Sequence, residues 1–400
     1  MKKSLVSALV AGAVLLALTS CAKGAKSSGA EFILNNGAEP QSLDPSKIQG
    51  IPEDRIYTAL FEGLVAYDPK TCKAVPGVAE SWEHSEDRTV ITYHLRKAEW
   101  SDGTPITAQT FVDSWRYYLS PETAAEYAYM PAAIIKGGTD YNAGKAGPET
   151  LGVTAIDEQT LEVQLEGSIP YAVDVMAHYS FSPLPLHVME KFGNDWTKPE
   201  NFVGNGPFVL ESWKPQERIT VIPNEKYWNK ENVFLDRITF LPIENDTTAY
   251  NKYKNGELDW DTNIPTDLLG EIRLRDDYHV SPQLASYYYE FNVTDPVLSD
   301  VRVRKALAKA IDCQQLVEKV LGAGQIAADA FVPPMDGYTP TIGNPYNIIE
   351  AQNLLADAGY PNGEGFPKVT IIYNTNEDHK KVAEYIQQQW KENLGVEASL

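Results

Sequence analysis

Short strand-like and helix-like patterns follow one another along the whole chain, and they show no fixed repeat. Residues 89–95, 160–165 and 218–222 alternate apolar and polar side chains, which is typical of strands with one buried face. Residues 302–321 and 378–394 carry apolar side chains at helical spacing. This mixture predicts an α/β or α+β class. Because one hydrophobic core rarely serves a chain of 400 residues, we expect two or three domains.

The segment 286–293, Ser-Tyr-Tyr-Tyr-Glu-Phe-Asn-Val, is the most distinctive stretch of the chain. Its aromatic residues and two-residue alternation predict a β-strand before the helix that starts near Val301. The odd-numbered side chains would then form a packing face. The even-numbered side chains, among them Tyr288 and Glu290, would place phenol, carboxylate and carboxamide groups in one row, which suits a polar ligand site. A strand with one solvated face is the alternative.

The residues that follow Thr107 predict a helix with one apolar face. Thr107 can cap its first turn, and Phe111, Trp115 and Tyr118 recur at helical spacing. We expect these three rings to lie in a core. The strand predicted at 89–95 should likewise turn its odd-numbered side chains inward, because alternate side chains of a strand share one face.

The charge of the chain limits its partners. The formal net charge is −21 and the pI is about 4.7, which argues against nucleic acid and anionic lipid surfaces as partners. With 43% apolar and 22% charged residues, the chain has the composition of a globular protein and not of a disordered one. The acidic charge fits a soluble protein that works outside the cytosol.

The N-terminus has the pattern of a secretion signal. Two lysines precede an apolar run over residues 5–18, which is too short to span a membrane. The sequence Leu-Thr-Ser-Cys that ends at Cys21 resembles a bacterial lipobox, so we predict a signal peptide at 1–20 and lipidation of Cys21. An ordinary signal peptide with an incidental cysteine is the alternative. The small and polar residues that follow predict a flexible tether over 21–30.

No motif for catalysis or metal binding stands out. The six histidines are dispersed, and the chain has no phosphate-binding glycine loop, zinc-protease motif or nucleophile elbow. Cys72 and Cys313 lie far apart and are predicted as structural thiols, with one disulfide as the alternative. The 22 tyrosines and eight tryptophans suit ligand clefts. We therefore predict a binding protein without enzymatic activity, cofactor or metal.

Seven short motifs stand in a characteristic order along the chain. They are 39–45 (EPQSLDP), 61–64 (FEGL), 78–82 (VAESW), 100–105 (WSDGTP), 206–208 (GPF), 227–229 (YWN) and 301–304 (VRVR). In this order they resemble the bacterial solute-binding proteins of family 5, which serve peptide ABC transporters. The resemblance runs from about residue 32 to residue 400. It implies a periplasmic-binding-protein fold of the second type, with two hinged lobes and an extra domain.

The same resemblance implies domain boundaries. Residues 31–61 and 186–284 would form the first lobe, 62–185 the extra domain and 285–400 the second lobe. The segment 396–400 opens a strand and the chain then stops, so we expect an incomplete second lobe, truncated at the C-terminus, in a fragment of a longer protein. The aspartate with which the family binds the α-ammonium group of a peptide would lie beyond the last residue.

Nine residues match binding positions of the family. They are Gln49, Gly50, Ile51, Tyr129, Asn263, Tyr288, Glu290, Asn374 and His379. The first three belong to the segment that would pair with the main chain of a peptide, so that the affinity would not depend on ligand side chains. A well-known member of the family has glutamate at the position of Gln49, a change that a main-chain contact tolerates. The other six would line pockets.

The resemblance implies a lipid-anchored receptor of the cell envelope, either in the periplasm or on the outer surface. It would act as a monomer, capture short peptides and deliver them to an ABC permease in the membrane. Nucleic acid is not expected as a partner. Two alternatives stay open: a different cargo, such as an oligosaccharide, a nickel complex, haem or a pheromone peptide, and an adhesin-like surface lipoprotein.

Overall fold

The computed structural model describes residues 29–400 except 282, 329, 336, 342 and 344. The predicted signal peptide, the lipidation site Cys21 and nearly all of the tether lie outside the described residues. Within the described ranges, no helix combines the length and the apolar character that crossing a bilayer requires.

The strands are short, and most of them precede residue 242. In chain order they are β1 (Glu31–Asn35), β2 (Val65–Tyr67), β3 (Ala74–Pro76), β4 (Ala79–His84), β5 (Val90–Leu95), β6 (Ala98–Glu99), β7 (Pro105–Ile106), β8 (Val153–Asp157), β9 (Thr160–Gln164), β10 (Phe208–Lys214), β11 (Arg218–Pro223), β12 (Arg237–Leu241), β13 (Val369–Thr370) and β14 (Ala398–Ser399). The strands predicted at 89–95, 160–165 and 218–222 are confirmed as β5, β9 and β11.

Two sheets of four strands occur among the described residues. Their strand orders are β4-β5-β9-β8 and β1-β12-β11-β10. In the first sheet, β5 pairs with both β4 and β9, β8 pairs with β9, and all three pairings are antiparallel. In the second, β11 pairs antiparallel with both β10 and β12. Short connections join β4 to β5, β8 to β9 and β10 to β11, whereas residues 96–159 separate β5 from β9.

Helices occur along the whole described chain. In order they are α1 (Ile51–Leu60), α2 (Ala108–Leu119), α3 (Tyr129–Ile134), α4 (Gly138–Asn142), α5 (Ala172–Val175), α6 (Leu186–Phe192), α7 (Asp246–Lys254), α8 (Leu269–Ile272), α9 (Val301–Lys309), α10 (Cys313–Gln315), α11 (Ile348–Asp357) and α12 (Glu377–Leu394). A π-helical turn over Leu316–Leu321 follows α10. Strands and helices together give the mixed class that the sequence predicts.

Contacts between residues divide the described chain into two compact units. The first unit holds residues 29–33 and Gln41–Phe240, and the second holds Leu34–Pro40 and Leu241–Leu400. The boundaries predicted for the two lobes and the extra domain differ from those of these two units. The predicted division into lobes and an extra domain stays a prediction.

The core of the first unit forms where the sequence predicts it. The odd-numbered side chains of β5 are buried, and Phe111, Trp115 and Tyr118 of α2 are at most 2% exposed. Thr107 is the N-cap of α2, as predicted. The Trp115 indole N–H donates a hydrogen bond to the Phe181 carbonyl oxygen at 3.0 Å. The largest buried ring of the helix therefore has its polar atom satisfied.

A carboxylate with little exposure joins distant segments of the first unit. Glu62 accepts hydrogen bonds from the Tyr227 hydroxyl at 2.7 Å and from the Trp228 indole N–H at 2.6 Å. The Asn205 side chain donates to the Glu62 carbonyl oxygen at 2.7 Å and accepts from the Glu62 N–H at 3.1 Å. The Arg96 guanidinium lies 3.6 Å from the centroid of the Trp228 ring. Two of the sequence motifs therefore meet at this carboxylate.

Gly206, from a third motif, lets the chain pass close to the end of α1. Its N–H donates to the Leu60 carbonyl oxygen at 2.9 Å. A Cβ atom at this position would lie 2.5 Å from main-chain atoms of Leu60 and Phe61. Any larger residue would push the two backbones apart, so the approach requires glycine.

The prediction of one continuous helix over 302–321 is wrong, because α9 covers only the first half of this range. Asp312 accepts a hydrogen bond from the Gln315 N–H at 2.9 Å and so caps a new helix start. The Asn393 side chain of α12 donates to the Ala310 carbonyl oxygen at 2.8 Å and satisfies the end of α9. The periodic spacing of apolar residues indicates a buried face, but it does not indicate that a capping residue starts a new helix within the range.

The segment 286–293, predicted as a strand, is not one. It pairs with no strand in the described part of the chain. Tyr289 and Phe291 are half-buried and pack against the hydrophobic core of the second unit, as the packing face predicts. Tyr287 and Val293, on the same predicted face, are 48% and 56% exposed. The aromatic alternation indicates a two-faced segment, whereas a strand also needs a neighbour for its backbone hydrogen bonds.

The last strand of the chain belongs to the second unit. β14 pairs in parallel with β13, with Val369 opposite Ala398. The Ile371 N–H donates to the Ser399 carbonyl oxygen at 2.8 Å and extends the pairing by one bond. The strand predicted to begin within 396–400 is therefore confirmed.

We expect Glu62→Ala to lower the free energy of unfolding by about 2–4 kcal/mol, because it leaves the Tyr227 hydroxyl and the Trp228 N–H without their acceptor. Urea unfolding followed by tryptophan fluorescence measures this change. Glu86→Ala is the control, since it removes an exposed carboxylate from a turn. It should change the free energy by less than about 0.5 kcal/mol. Equal effects of the two substitutions would contradict the role assigned to Glu62.

Candidate functional site

The nine matched residues are distributed over both units, and each group is described here within its own unit. In the first unit, the chain is extended at Gly50, and Ile51 is the first residue of α1. Gly50 has φ −144° and ψ 173° and is the N-cap of the helix. Gln49 is exposed, and the Ile51 side chain is 66% exposed. Among the described residues, none accepts a hydrogen bond from the Ile51 N–H, as is usual for the first N–H groups of a helix.

Tyr129 lies at the edge of a stack of aromatic rings in the first unit. Its ring is 63% exposed, and its centroid is 5.7 Å from that of Tyr127. The Tyr127 centroid lies 5.4 Å from those of His178 and Tyr179. Burial lowers the pKa of His178 to about 4, so its imidazole is neutral at pH 7. Sequence analysis missed His178 as a neighbour of this site, because a dispersed histidine gives no signal of its own.

In the second unit, Asn374 and His379 lie together at the start of α12. Oδ1 of Asn374 is hydrogen-bonded to Nδ1 of His379. The side chain of Asn376, the N-cap of α12, accepts from the His379 main-chain N–H at 2.9 Å. The Tyr287 ring stacks on the imidazole, with centroids 4.2 Å apart and planes at 21°. Burial lowers the pKa of His379, and the negative charge of Asp378 acts in the opposite direction.

The structure thus joins the two residues that the family resemblance pairs and adds Tyr287 to them. The alternating pattern assigns Tyr287 to the packing face, away from Tyr288 and Glu290. In the structure Tyr287 instead covers the imidazole of His379. No signal within one sequence predicts that contact, because it joins segments that are distant along the chain.

Tyr288 and Glu290 lie on the same extended segment, and both are exposed. The Tyr288 ring is 50% exposed and meets the Phe331 ring edge to face, with centroids 4.7 Å apart. Glu290 forms no hydrogen bond or ion pair with any residue in the described ranges. The structure therefore leaves the Glu290 carboxylate open to solvent.

Asn263 lies in a tight loop of the second unit. Asp261 Oδ1 accepts hydrogen bonds from the Asn263 N–H at 3.1 Å and from Asn35 Nδ2 at 3.0 Å. Gly37 has φ +81°, and a Cβ atom there would lie 3.2 Å from Asn263 Nδ2. Glycine at this position allows both the left-handed backbone and the close approach of the Asn263 amide.

A cluster of carboxyl groups lies beside the start of α12. Asp246, the first residue of α7, is buried. Its pKa is raised to about 6, first by burial and then by the negative charges of Glu377, Asp378 and Asp261. Lys381 acts in the opposite direction.

The described ranges contain no group of three or more His, Cys, Asp or Glu side chains that could hold a metal ion. Cys72 and Cys313 are both exposed free thiols. The alternative of a disulfide between them is therefore wrong. Their exposure also does not fit a role in core packing, where free cysteines are usually buried.

Known proteins resemble this chain over its whole length. The family model described as "Bacterial extracellular solute-binding proteins, family 5 Middle" matches residues 73–400. This chain is 41% identical to the periplasmic oligopeptide-binding protein OppA of Escherichia coli strain K12. The alignment is 416 residues long with its gaps and covers 100% of this chain and 76% of that protein. These matches confirm the family resemblance carried by the seven motifs.

Solved structures share the fold. A crystal structure of a periplasmic oligopeptide-binding protein from Borrelia burgdorferi has a TM-score of 0.89 and 41% identity, covering 93% of this chain and 75% of that one. Haemophilus influenzae OppA, in complex with RPPGFSPFR, has a TM-score of 0.86 and 38% identity, with coverage of 93% and 75%. The predicted α/β class and periplasmic-binding-protein type II fold are therefore confirmed.

We expect Asp246→Asn to stabilise the protein at pH 7.5 by about 1 kcal/mol, with a gain that shrinks towards zero as the pH falls to 4. The raised pKa means that the folded state holds this proton more tightly than the unfolded state. The stabilisation from the group is therefore complete below its ordinary pKa of 3.8 and is lost as the pH rises through about 6. Asparagine resembles the protonated carboxyl at every pH. Urea unfolding at several pH values measures the difference.

Asp277→Asn is the matched control, for which we expect a change in stability of the opposite sign. The Arg275 guanidinium holds the pKa of Asp277 at about 2, below its ordinary value. Removal of this carboxylate should therefore lower the stability at pH 7.5. A stabilisation by Asp246→Asn that is equal at pH 4 and pH 7.5 would be incompatible with the titration assigned to Asp246.

Proposed function

Because the chain belongs to family 5 of the bacterial extracellular solute-binding proteins, we propose that it captures short peptides in the cell envelope and delivers them to an ABC permease. The observation that carries the proposal is the 41% identity, over the whole chain, to a protein named as an oligopeptide-binding protein. The complex of the Haemophilus influenzae relative with RPPGFSPFR supports the same ligand class. The protein would bind and release its ligand without catalysing a reaction.

The first unit supports capture through the main chain of the peptide. The chain is extended at Gly50, and within the described residues the Ile51 N–H at the start of α1 has no acceptor. A peptide that adds to such a segment as a strand is held by main-chain hydrogen bonds, which do not depend on its side chains. Gln49 and Gly50 would contribute main-chain groups in the same way. A receptor built on this contact accepts many sequences.

The second unit supplies aromatic rings and amide groups that suit the side chains of a peptide. Water between these groups and the ligand would adapt to different side chains with little loss of binding energy. As the family resemblance implies, we propose that Tyr129, Asn263, Tyr288, Glu290, Asn374 and His379 line pockets for ligand side chains.

The proposal includes the domain division of the family and a monomeric protein. Residues 31–61 and 186–284 would form the first lobe, 62–185 the extra domain and 285–400 the second lobe. A lipid anchor on Cys21 would hold the protein at a membrane, since two or more acyl chains on one residue give stable attachment. The anchor would keep the receptor close to its permease.

We expect the protein, freed of bound ligand by unfolding and refolding, to bind tri- to pentapeptides of unrelated sequence in titration calorimetry. Gln49→Ala should change the dissociation constants by less than about threefold, because a main-chain contact survives the loss of the side chain. Free amino acids serve as the control ligands. A flat titration with every peptide would refute peptide capture.

Native mass spectra of the protein purified from cells distinguish the hypothesis of peptide capture from its alternatives. A ladder of added masses that match di- to pentapeptides supports a receptor of broad specificity. One discrete non-peptide mass would instead favour another cargo, such as an oligosaccharide, a nickel complex or haem. An adhesin-like lipoprotein predicts the bare mass together with a flat titration.

We expect Cys21→Ser to abolish the incorporation of labelled fatty acid and to move the protein from the membrane fraction to the soluble fraction of cells. Serine lacks the thiol to which the lipid would be attached. Cys72→Ser is the matched control and should leave both readouts unchanged, because Cys72 is an exposed free thiol far from the lipobox-like sequence. Retention of the label in Cys21→Ser would rule out this residue as the anchor.

A further inference from the structure

We propose that the loop over residues 230–236, which we call the contact loop, rests on the membrane to which Cys21 is anchored. The Phe234 ring would lie in the boundary between the lipid head groups and the acyl chains. The anchor rests on the proposed function. The position of the loop beside the start of the described chain rests on contacts within the first unit alone.

The start of the described chain is fixed to the contact loop. The Ala30 N–H donates a hydrogen bond to Oδ2 of Asp236 at 2.7 Å, and the Asp236 N–H donates to the Ala30 carbonyl oxygen at 2.9 Å. The Thr239 hydroxyl, on the strand that follows the loop, donates to the Glu31 carboxylate at 2.8 Å. The chain therefore enters the first unit beside Asp236, two residues from Phe234.

A lipid on Cys21 would keep this entry point close to a bilayer. Cys21 precedes Gly29 by eight residues. A segment of eight residues spans at most about 26–29 Å when fully extended and about 15 Å as a random coil. The entry point would therefore stay within this distance of the membrane surface however the rest of the protein is oriented, and the contact loop lies directly beside it.

The Phe234 side chain is 79% exposed, more than any other Phe, Tyr or Trp ring among the described residues. Its neighbours in sequence, Val233 and Leu235, are half-buried, so packing holds the backbone on both sides of the exposed ring. Transfer of such a ring from water to the apolar boundary of a bilayer is favourable. Single exposed apolar residues are common on protein surfaces. Phe234 differs from them because the anchor would bring a bilayer to it.

The charge of the contact loop and its flanks does not oppose a membrane. The whole chain carries a formal net charge of −21, which would repel anionic lipid. Residues 225–237 carry three acidic and three basic side chains, so this segment is neutral. They are Glu225, Lys226, Lys230, Glu231, Asp236 and Arg237. The nearby Glu31 and Glu211 carboxylates are engaged with Thr239 and Arg237. The contact would therefore depend on apolar burial and not on the charge of the lipid.

Fluorescence quenching of a label at position 234 tests the contact. Phe234→Cys is made together with Cys72→Ser and Cys313→Ser, because both of these cysteines are exposed free thiols that would also react. The lipidated protein is labelled with a nitrobenzoxadiazole dye and placed in vesicles of phosphatidylcholine and phosphatidylglycerol that contain doxyl-labelled lipid. Ile156→Cys in the same background is the control, since Ile156 is 58% exposed on β8, in the other four-stranded sheet.

We expect doxyl lipid to quench the label at 234 several-fold more strongly than the label at 156. The difference should persist when the salt concentration is raised, because salt screens charges but does not weaken apolar burial. Equal quenching at the two positions, or none at 234, would overturn the inference.

Hydrogen exchange tests the same contact without a label. We expect the N–H groups of residues 230–236 to exchange more slowly in the lipidated protein on vesicles than in Cys21→Ser in solution, and those of the exposed turn over 85–88 to be unchanged. Phe234→Asp should remove this protection, because a carboxylate is costly in an apolar environment. Ile156→Asp is the control and should retain it. Protection that survives Phe234→Asp would contradict the role of the ring.

Failure of the inference and failure of the proposed anchor can be told apart in the same samples. Incorporation of labelled fatty acid reports the anchor, whereas quenching and exchange report the contact. If Cys21 takes up no fatty acid, the anchor fails and the inference falls with it. If Cys21 is lipidated and the contact loop is neither quenched nor protected, the anchor stands and the inference alone falls. Peptide capture, measured by calorimetry, does not depend on either result.

Discussion

The first unit depends on the Glu62 carboxylate, because a carboxylate with little exposure is tolerated only where donors surround it. The donors come from Tyr227 and Trp228, which lie far along the chain from Glu62. The Asn205 amide closes the same junction through the main chain of Glu62. If one of these residues moved away, its partners would be left with unsatisfied polar groups. The hydrogen bonds of the junction therefore support one another, and they hold the end of α1 beside β10 and β11.

In the second unit, α12 connects packing to the candidate site. The C-terminal half of this helix buries Trp390, whose indole N–H donates to the Leu307 carbonyl oxygen of α9 at 2.9 Å. The N-terminal turn carries His379 beneath the cap formed by Asn376. A helix that is anchored at one end by its core therefore positions a residue of the candidate site at the other. Sites carried by packed helices are held more closely than sites on free loops.

Local patterns in the sequence predicted the elements whose geometry is set by near neighbours. β5 and α2 follow from alternation, helical spacing and the cap at Thr107. The errors at 286–293 and 302–321 have another origin. A strand needs a partner elsewhere in the chain, and the break after α9 depends on the side chain of Asp312 and on a carbonyl group taken by α12. Both errors concern which groups form hydrogen bonds with the main-chain carbonyl and N–H groups. The spacing of apolar residues does not predict these partners.

The same distinction applies to the candidate site. The family resemblance predicts Asn374 and His379 as a pair. In the structure their side chains are hydrogen-bonded to each other. The structure also shows Tyr287 on the imidazole and Asp246 among carboxyl groups, and neither contact follows from the sequence. Each joins residues from distant segments, so only the folded chain reveals it. The resemblance predicts candidate site residues, which stay a prediction, and the structure shows what several of them contact.

The choice of an amide as the partner of His379 has a chemical consequence. A carboxylate at the position of Asn374 would favour the imidazolium ion, which donates from both nitrogen atoms and repels an N–H group. The carboxylate of Asp378 is adjacent in sequence, but it is paired with Lys381. Burial lowers the pKa of His379, and the charge of Asp378 only partly opposes this effect.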